Sequence, residues 1–258
     1  MIPKAAWTLL GALAVLYLAI CGWMYFSQRA LVYYPQVTRV DRASTDYALP
    51  RDDGATLRGW VVNPDAAQAI VYFGGNGEDV SANRELFARA LPRHAVYLVA
   101  YRGYGASDGE PSQAAILDDA LAIFDDVQRR HAARPVAVIG RSLGSGVASH
   151  VAANRAIDRL ALVTPFDSLV SVAQTHYPWL PVRLLMRERY PSTEWLRDYR
   201  GPSLVVRAGR DTVVPPQHTD RLIAALPQRP DVVELRDSGH NDLDEAAYAR
   251  ALTAFFQR

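Results

Sequence analysis

From residue 57 onward, strand-length apolar runs alternate with segments whose apolar residues recur every three or four positions, and no other feature narrows the fold as far. The runs cover residues 69–73, 95–100, 135–139, 160–163, 203–207 and 232–235 and are rich in Val, Ile and Tyr, the composition of strands buried on both faces. Between them, Ile116, Leu117, Ala120, Leu121, Phe124 and Val127 share one helical face, and similar patterns cover 81–91, 144–154, 217–226 and 244–256. Such alternation predicts an α/β fold with a mostly parallel central sheet and helices on both faces. Residues 57–62 are expected to pair with 46–49 through the Asp53-Gly54 turn, so a hairpin opens the fold. One segment interrupts the pattern. Residues 166–200 form a long insertion between two strands, with Tyr177-Pro178-Trp179-Leu180-Pro181 followed by apolar and Arg residues, and are expected to be a small cap over the site.

The 22 residues 5–26 carry no charge, and as a helix they would reach about 33 Å, enough to cross a hydrocarbon layer of about 30 Å. Lys4 and Arg29 bracket the run, and Trp7, Trp23, Tyr25 and Tyr33 lie near its ends, where amphipathic rings favour the headgroup region. A cleaved signal peptide would have a shorter apolar core, typically of about 7 to 15 residues, and a small-x-small site, which does not follow here. Lipoprotein processing at Cys21 wants a small residue where Leu18-Ala19-Ile20 has a bulky one. The segment therefore predicts an uncleaved, single-pass N-terminal transmembrane helix. Its orientation stays open, because Lys4 and the amino terminus flank one end while Arg29, Arg39 and Arg42 flank the other.

The expected organisation is an anchor and linker over residues 1–43 and one catalytic domain over 44–258. Of the 258 residues, 28 are Lys or Arg and 27 Asp or Glu, and a net charge of +1 offers no footprint for nucleic acid. Cys21 is the single cysteine, which excludes an intrachain disulfide and a cysteine-clustered metal site. Neither a metal nor an organic cofactor is expected, and no protein partner is predicted.

In parallel sheets with flanking helices, reactive groups gather at the carboxyl ends of the strands. Directly after the run ending at Ile139 comes Gly140-Arg141-Ser142-Leu143-Gly144, and a helix-compatible segment begins there. G-x-S-x-G in a strand–turn–helix context marks a nucleophilic serine: a sharp turn projects the hydroxyl, and glycines two positions to either side leave room for the turn. A serine needs a base, and a histidine base needs a carboxylate to fix its tautomer. Among six histidines, His240 alone follows the last strand at the carboxyl edge. His94 and His131 fall at the opposite edge, His150 lies inside a helix, and His176 and His218 belong to the cap and a later helix. Asp211, after the run 203–207, is the leading acid, with Asp167 and Asp242 as alternatives.

Attack on a carbonyl creates an oxyanion. The backbone N–H of Leu143 is one expected donor, and the loop Gly74-Gly75-Asn76-Gly77 supplies the other, from Asn76 or alternatively Gly75. No lysine follows that loop and no G-x-x-x-x-G-K-[ST] occurs, so it is not read as a phosphate cradle.

Taken together, Val71-Tyr72-Phe73-Gly74-Gly75-Asn76, the loop from Tyr101 to Ser107, the Ser142 turn, Gly209-Arg210-Asp211 with Val214-Pro215, and Gly239-His240 resemble the α/β-hydrolase superfamily over about residues 44–258. Within it the chain looks like the membrane-anchored serine-aminopeptidase-like group that includes depalmitoylating thioesterases. Relatives commonly have His-Gly where this chain has Gly74-Gly75, so a loop-stabilising side chain is missing. The tyrosine–glycine loop at 101–105 is expected to be structural. The resemblance implies an α/β-hydrolase fold and a membrane-anchored serine hydrolase acting on an acyl ester, thioester or amide through an acyl-enzyme. A peptidase or amidase acting on small peptides, and a non-catalytic membrane scaffold, are the competing expectations. Trp179, Leu184, Leu185 and Met186 are candidates for contact with an acyl chain; the competing expectation is that they simply pack the cap onto the domain.

Overall fold

The structure, a computed structural model, describes residues 3–132 and 134–258. Among these residues eight strands form one sheet: β1 (Tyr47–Pro50), β2 (Thr56–Val62), β3 (Gln68–Phe73), β4 (His94–Val99), β5 (Ala137–Arg141), β6 (Leu160–Val163), β7 (Ser203–Ala208) and β8 (Asp231–Leu235). Their order is β1-β2-β4-β3-β5-β6-β7-β8. β1 and β2 form the expected antiparallel hairpin around Gly54, and β2 pairs antiparallel with β4. The other neighbours are all parallel. Every residue of β4 and β6 is buried, whereas four of the five residues of the edge strand β8 are not.

After β3 the chain first adds β4 on one side and then returns to add β5 on the other. That reversal opens a crevice between the carboxyl ends of β3 and β5, the place where open parallel sheets put their ligands. In the register of this pair Phe73 lies opposite Gly140. The loop that starts at Gly74 and the turn that starts at Arg141 therefore leave adjacent strands side by side.

Helices α2 (Arg84–Ala90) and α9 (Glu245–Phe256) pack together as one layer. The second layer consists of α3 (Gln113–Arg130), α4 (Leu143–Asn154), α7 (Ser192–Leu196) and α8 (Pro216–Ala225). Ser112 caps α3 by accepting from Ala115 N, and Asp244 caps α9 by accepting from Ala247 N. The stretch between β6 and β7 folds as α5 (Leu169–His176), α6 (Val182–Leu185) and α7.

A 29-residue helix, α1 (Lys4–Val32), precedes all of this and is long and apolar enough to cross a membrane. Its most apolar stretch is almost wholly exposed, so it is not a core helix of the domain. Two short 3₁₀ turns, Pro35–Thr38 and Arg42–Ser44, lead from it to β1.

Candidate active site

Ser142 sits between β5 and α4 at φ +50° and ψ −119°, outside the regions a side chain normally tolerates. Such a backbone costs about 1–3 kcal/mol and persists only where its surroundings over-determine it. Here Ser142 N donates to Val163 O of the neighbouring strand at 2.9 Å, and Ser142 O accepts from Ser145 N and Ser145 Oγ at 2.8 and 2.6 Å. The flanking glycines are a steric requirement. A Cβ on Gly140 would lie 2.6 Å from Ala148 Cβ, and one on Gly144 would lie 2.6 Å from Gly74 O.

The carboxyl-edge loops bring the three distant residues together. His240 Nε2 lies 2.8 Å from Ser142 Oγ, and His240 Nδ1 lies 2.7 Å from Asp211 Oδ2. The other carboxylate oxygen of Asp211 accepts from the backbone N–H groups of Val213 and Val214 at 2.9 and 2.7 Å. Asp211 can therefore only accept, which places a hydrogen on Nδ1 and leaves Nε2 to accept from the serine hydroxyl. Both His240 and Asp211 are buried. This geometry suits proton transfer from the hydroxyl to the imidazole, with the carboxylate stabilising the cation that forms.

Asp167 does not face this cluster. Its oxygens accept from His218 Nδ1 at 2.7 Å and Arg221 Nε at 2.6 Å, while His218 Nε2 pairs with Thr175 Oγ1 of α5 at 3.0 Å. Burial alone would raise the Asp167 carboxyl, but the bonds from His218 and Arg221 hold it below the usual carboxylate range. The group ties α5 to α8.

The two candidate amides of the β3 loop part company. Gly75 N donates to Glu78 Oε2 at 2.5 Å, so the alternative assignment to Gly75 is corrected: that N–H is committed within its own loop. Asn76 remains, lining the same cavity as Ser142 and Leu143. Glu78 also accepts from Tyr72 Oη at 2.6 Å and Asn83 Nδ2 at 2.7 Å, and pairs with Arg141 at 3.2 Å. Burial disfavours charge on Arg141, yet the adjoining Glu78 carboxylate holds its pKa above the ordinary value. Glu78 thus braces the loop from within.

Two more supports come from the tyrosine–glycine loop. Tyr101 Oη donates to Gly74 O at 2.8 Å, and Tyr104 Oη donates to Asn76 Oδ1 at 3.0 Å. Arg102 fixes that loop to α3 through two 2.7 Å bonds to Asp119. The sequence marks the tyrosine–glycine loop as structural but does not reveal the partners of Glu78, Tyr101 and Tyr104, because nothing local in the chain says which polar group each one meets.

Ser142 opens into a cavity of about 550 Å³, within the range of small-molecule sites. Trp179, Leu185 and Met186 line it. Leu184 does not: it is 85% exposed, a correction that follows from the roughly 100° rotation per helical residue, which carries Leu184 off the face that Leu185 turns to the cavity. Phe166, Leu169, Val172 and Val214 join the lining, as do Ile20, Trp23, Met24 and Leu31 of α1, whose part in the site the sequence did not reveal.

A parallel sheet reversing at β3 and β5, with a strained serine turn on β5, defines an enzyme of the α/β-hydrolase type. A family model described as the alpha/beta hydrolase fold matches residues 68–194, and the chain belongs to that family. An uncharacterized protein of Mycobacterium tuberculosis is 34% identical over 251 residues, covering 90% of this chain and 88% of that protein. Among solved structures, a hydrolase from Pseudomonas aeruginosa superposes with a TM-score of 0.65 at 19% identity, covering 84% of this chain and 100% of the other. An esterase from Pyrococcus furiosus gives 0.65 at 15% identity, covering 82% and 91%. At such identities the structural likeness speaks for the fold.

Proposed function

We propose that the chain is a membrane-anchored serine hydrolase that cleaves a carboxylic ester or thioester through an acyl-enzyme. Residues 1–43 act as anchor and linker, 44–258 as the catalytic domain, and 166–200 as its cap. Ser142 Oγ attacks the acyl carbon while His240 Nε2 takes the hydroxyl proton. The N–H groups of Leu143 and Asn76 receive the oxyanion, a contribution of about 3–4 kcal/mol per donor in comparable sites. His240 then protonates the leaving alcohol or thiol as the carbonyl re-forms. In the second half, water attacks the acyl-Ser142 ester, His240 accepts the water's proton, and the acid departs as the proton returns to Ser142 Oγ. Asp211 holds the imidazole in the required tautomer throughout.

The observation that carries this reading is the chain of contacts from Ser142 Oγ through His240 to Asp211, at 2.8 and 2.7 Å. The cavity lining favours an acyl group over a small peptide. Among the described residues that line it none is charged, so the ammonium or carboxylate terminus of a peptide would find no counter-charge. Hydrolysis of short nitrophenyl esters by the full chain tests the reading. Ser142→Ala is expected to lower kcat by roughly 10⁶, the scale on which hydrolase nucleophiles act. Wild-type turnover by that variant would overturn it.

A further inference from the structure

Helix α1 does more than run beside the domain: its second half is bolted to the cap. Tyr17 Oη donates to Trp179 O at 3.0 Å. The buried Gln28 side chain donates to Leu185 O at 3.3 Å and accepts from Arg187 N at 2.6 Å. Tyr33 Oη bonds to Glu188 and lies 2.9 Å from Tyr190 Oη. Between these fastenings Cys21 packs with Val170, Leu180 and Val182 in a small apolar cluster separate from the main core. The cap and α1 thus form the two sides of one cleft, and Ser142 lies at its floor.

Three of the α1 residues in that cavity, Ile20, Trp23 and Met24, fall inside the uncharged run 5–26. A helix that spans a membrane with this run holds Ile20 and Met24 at the hydrocarbon boundary and Trp23 against the headgroup region, so the side of the cavity they form is continuous with the bilayer. The cap presents matching chemistry: Tyr177 and Trp179, which line the cavity, are 45% and 56% exposed, and Leu184 on α6 is 85% exposed, side chains of the kind that settle into the headgroup–acyl boundary.

Resting on the serine-hydrolase and membrane-anchor reading above, we propose that residues 20–34, the second half of α1 and the two residues that follow it, form a wall of the acyl-chain subsite. The cleft opens sideways into the bilayer, and the substrate is a long-chain acyl ester or thioester resident in the membrane. Its chain moves along α1 into the cavity until the carbonyl reaches Ser142. Such a chain exchanges one apolar surrounding for another and never crosses water, so the anchor selects the substrate as well as locating the enzyme.

The test uses the full chain reconstituted in phosphatidylcholine vesicles with nitrophenyl esters of increasing acyl length. Ile20→Trp and Met24→Trp fill the cleft and are expected to lower the ratio of long-chain to short-chain kcat/KM at least tenfold. Leu13→Trp, on the exposed part of α1 outside the cavity, should keep the wild-type ratio. Should either cleft variant fail to fold, an alkyl fluorophosphonate with a terminal photoreactive group serves on the wild-type protein: bonded to Ser142, it should cross-link to peptides within residues 20–34. An unchanged ratio, or cross-links confined to other segments, would overturn the wall while leaving the hydrolase reading intact. A wild-type chain that neither hydrolyses any ester nor takes the fluorophosphonate would overturn both.

Discussion

Glu78 is the most informative residue to perturb, because four donors converge on its carboxylate and only their geometry says what each one does. Oε2 accepts from Gly75 N and pairs with Arg141, neither of which can turn acceptor, whereas Oε1 accepts from Tyr72 Oη and Asn83 Nδ2, which can reorient. In Glu78→Gln the amide nitrogen therefore faces Tyr72 and Asn83, the carbonyl still holds Gly75, and the loop keeps its shape. In Glu78→Ala nothing holds Gly75, and the neighbouring Asn76 amide loses its aim. Misplacing one oxyanion donor costs about 3–4 kcal/mol, or 10²–10³ in kcat. Both variants remove the counter-charge of the partly buried Arg141, a loss of about 3 kcal/mol in stability for Ala and less for Gln, whose carbonyl still accepts from the guanidinium. Gln should thus lower the thermal midpoint while keeping kcat on nitrophenyl butyrate within roughly tenfold, and Ala should lose both. The kcat values are compared at a temperature well below every midpoint. Wild-type kcat in Glu78→Ala would rule out this role, since Tyr101 and Tyr104 would then suffice to hold the donor.

Asp211→Asn should reduce kcat about 10⁴-fold with the fold intact: Val213 and Val214 N–H claim the amide oxygen, so the NH₂ faces His240 Nδ1 and forces the wrong tautomer. Asp167→Asn should instead leave kcat within about threefold and lower the thermal midpoint by roughly 5–10 °C, because it weakens the tie between α5 and α8. The reverse pattern would mean that the acid had been assigned to the wrong strand. Burial, reinforced by Arg93 and Arg159, pushes His94 down to about 4, against about 6.5 in an unfolded chain. Its neutral form thus stabilises the fold fully above pH 6.5, and this contribution is lost as the pH falls towards 4, about 1–2 kcal/mol after solvent screening. Replacing His94 with Gln should flatten the decline of the thermal midpoint between pH 7 and 4.5; an equally steep decline would rule this origin out.

The strands, the hairpin at Gly54 and the serine turn were legible in the sequence because each is written in a few consecutive residues. The periods of two and 3.6, the Asp53-Gly54 pair and the glycines around Ser142 act locally, and the sheet inherits its order from the parallel crossovers. The approach of His240 and Asp211 to Ser142 was also within reach, since strand ends at one sheet edge must converge. Contacts chosen by the finished fold were not legible. Nothing near Glu78 says that its carboxylate will capture Gly75 N, and nothing near Tyr104 points to Asn76. The outward turn of Leu184 depends on where a one-turn helix starts, a matter of a single residue. The α1 wall was the furthest from view: a membrane-length apolar run looks the same whether it stands alone or leans against a cap, and the difference rests on Gln28 and Tyr33 meeting partners more than 150 positions away.

Peptide mapping of the adduct formed with a small fluorophosphonate bears on the nucleophile itself, because the reagent bonds preferentially to a hydroxyl that a neighbouring base has activated. One adduct is expected, on the peptide carrying Ser142, and His240→Ala should slow its formation drastically. An adduct on Ser145 or another residue, or undiminished labelling without the imidazole, would contradict it.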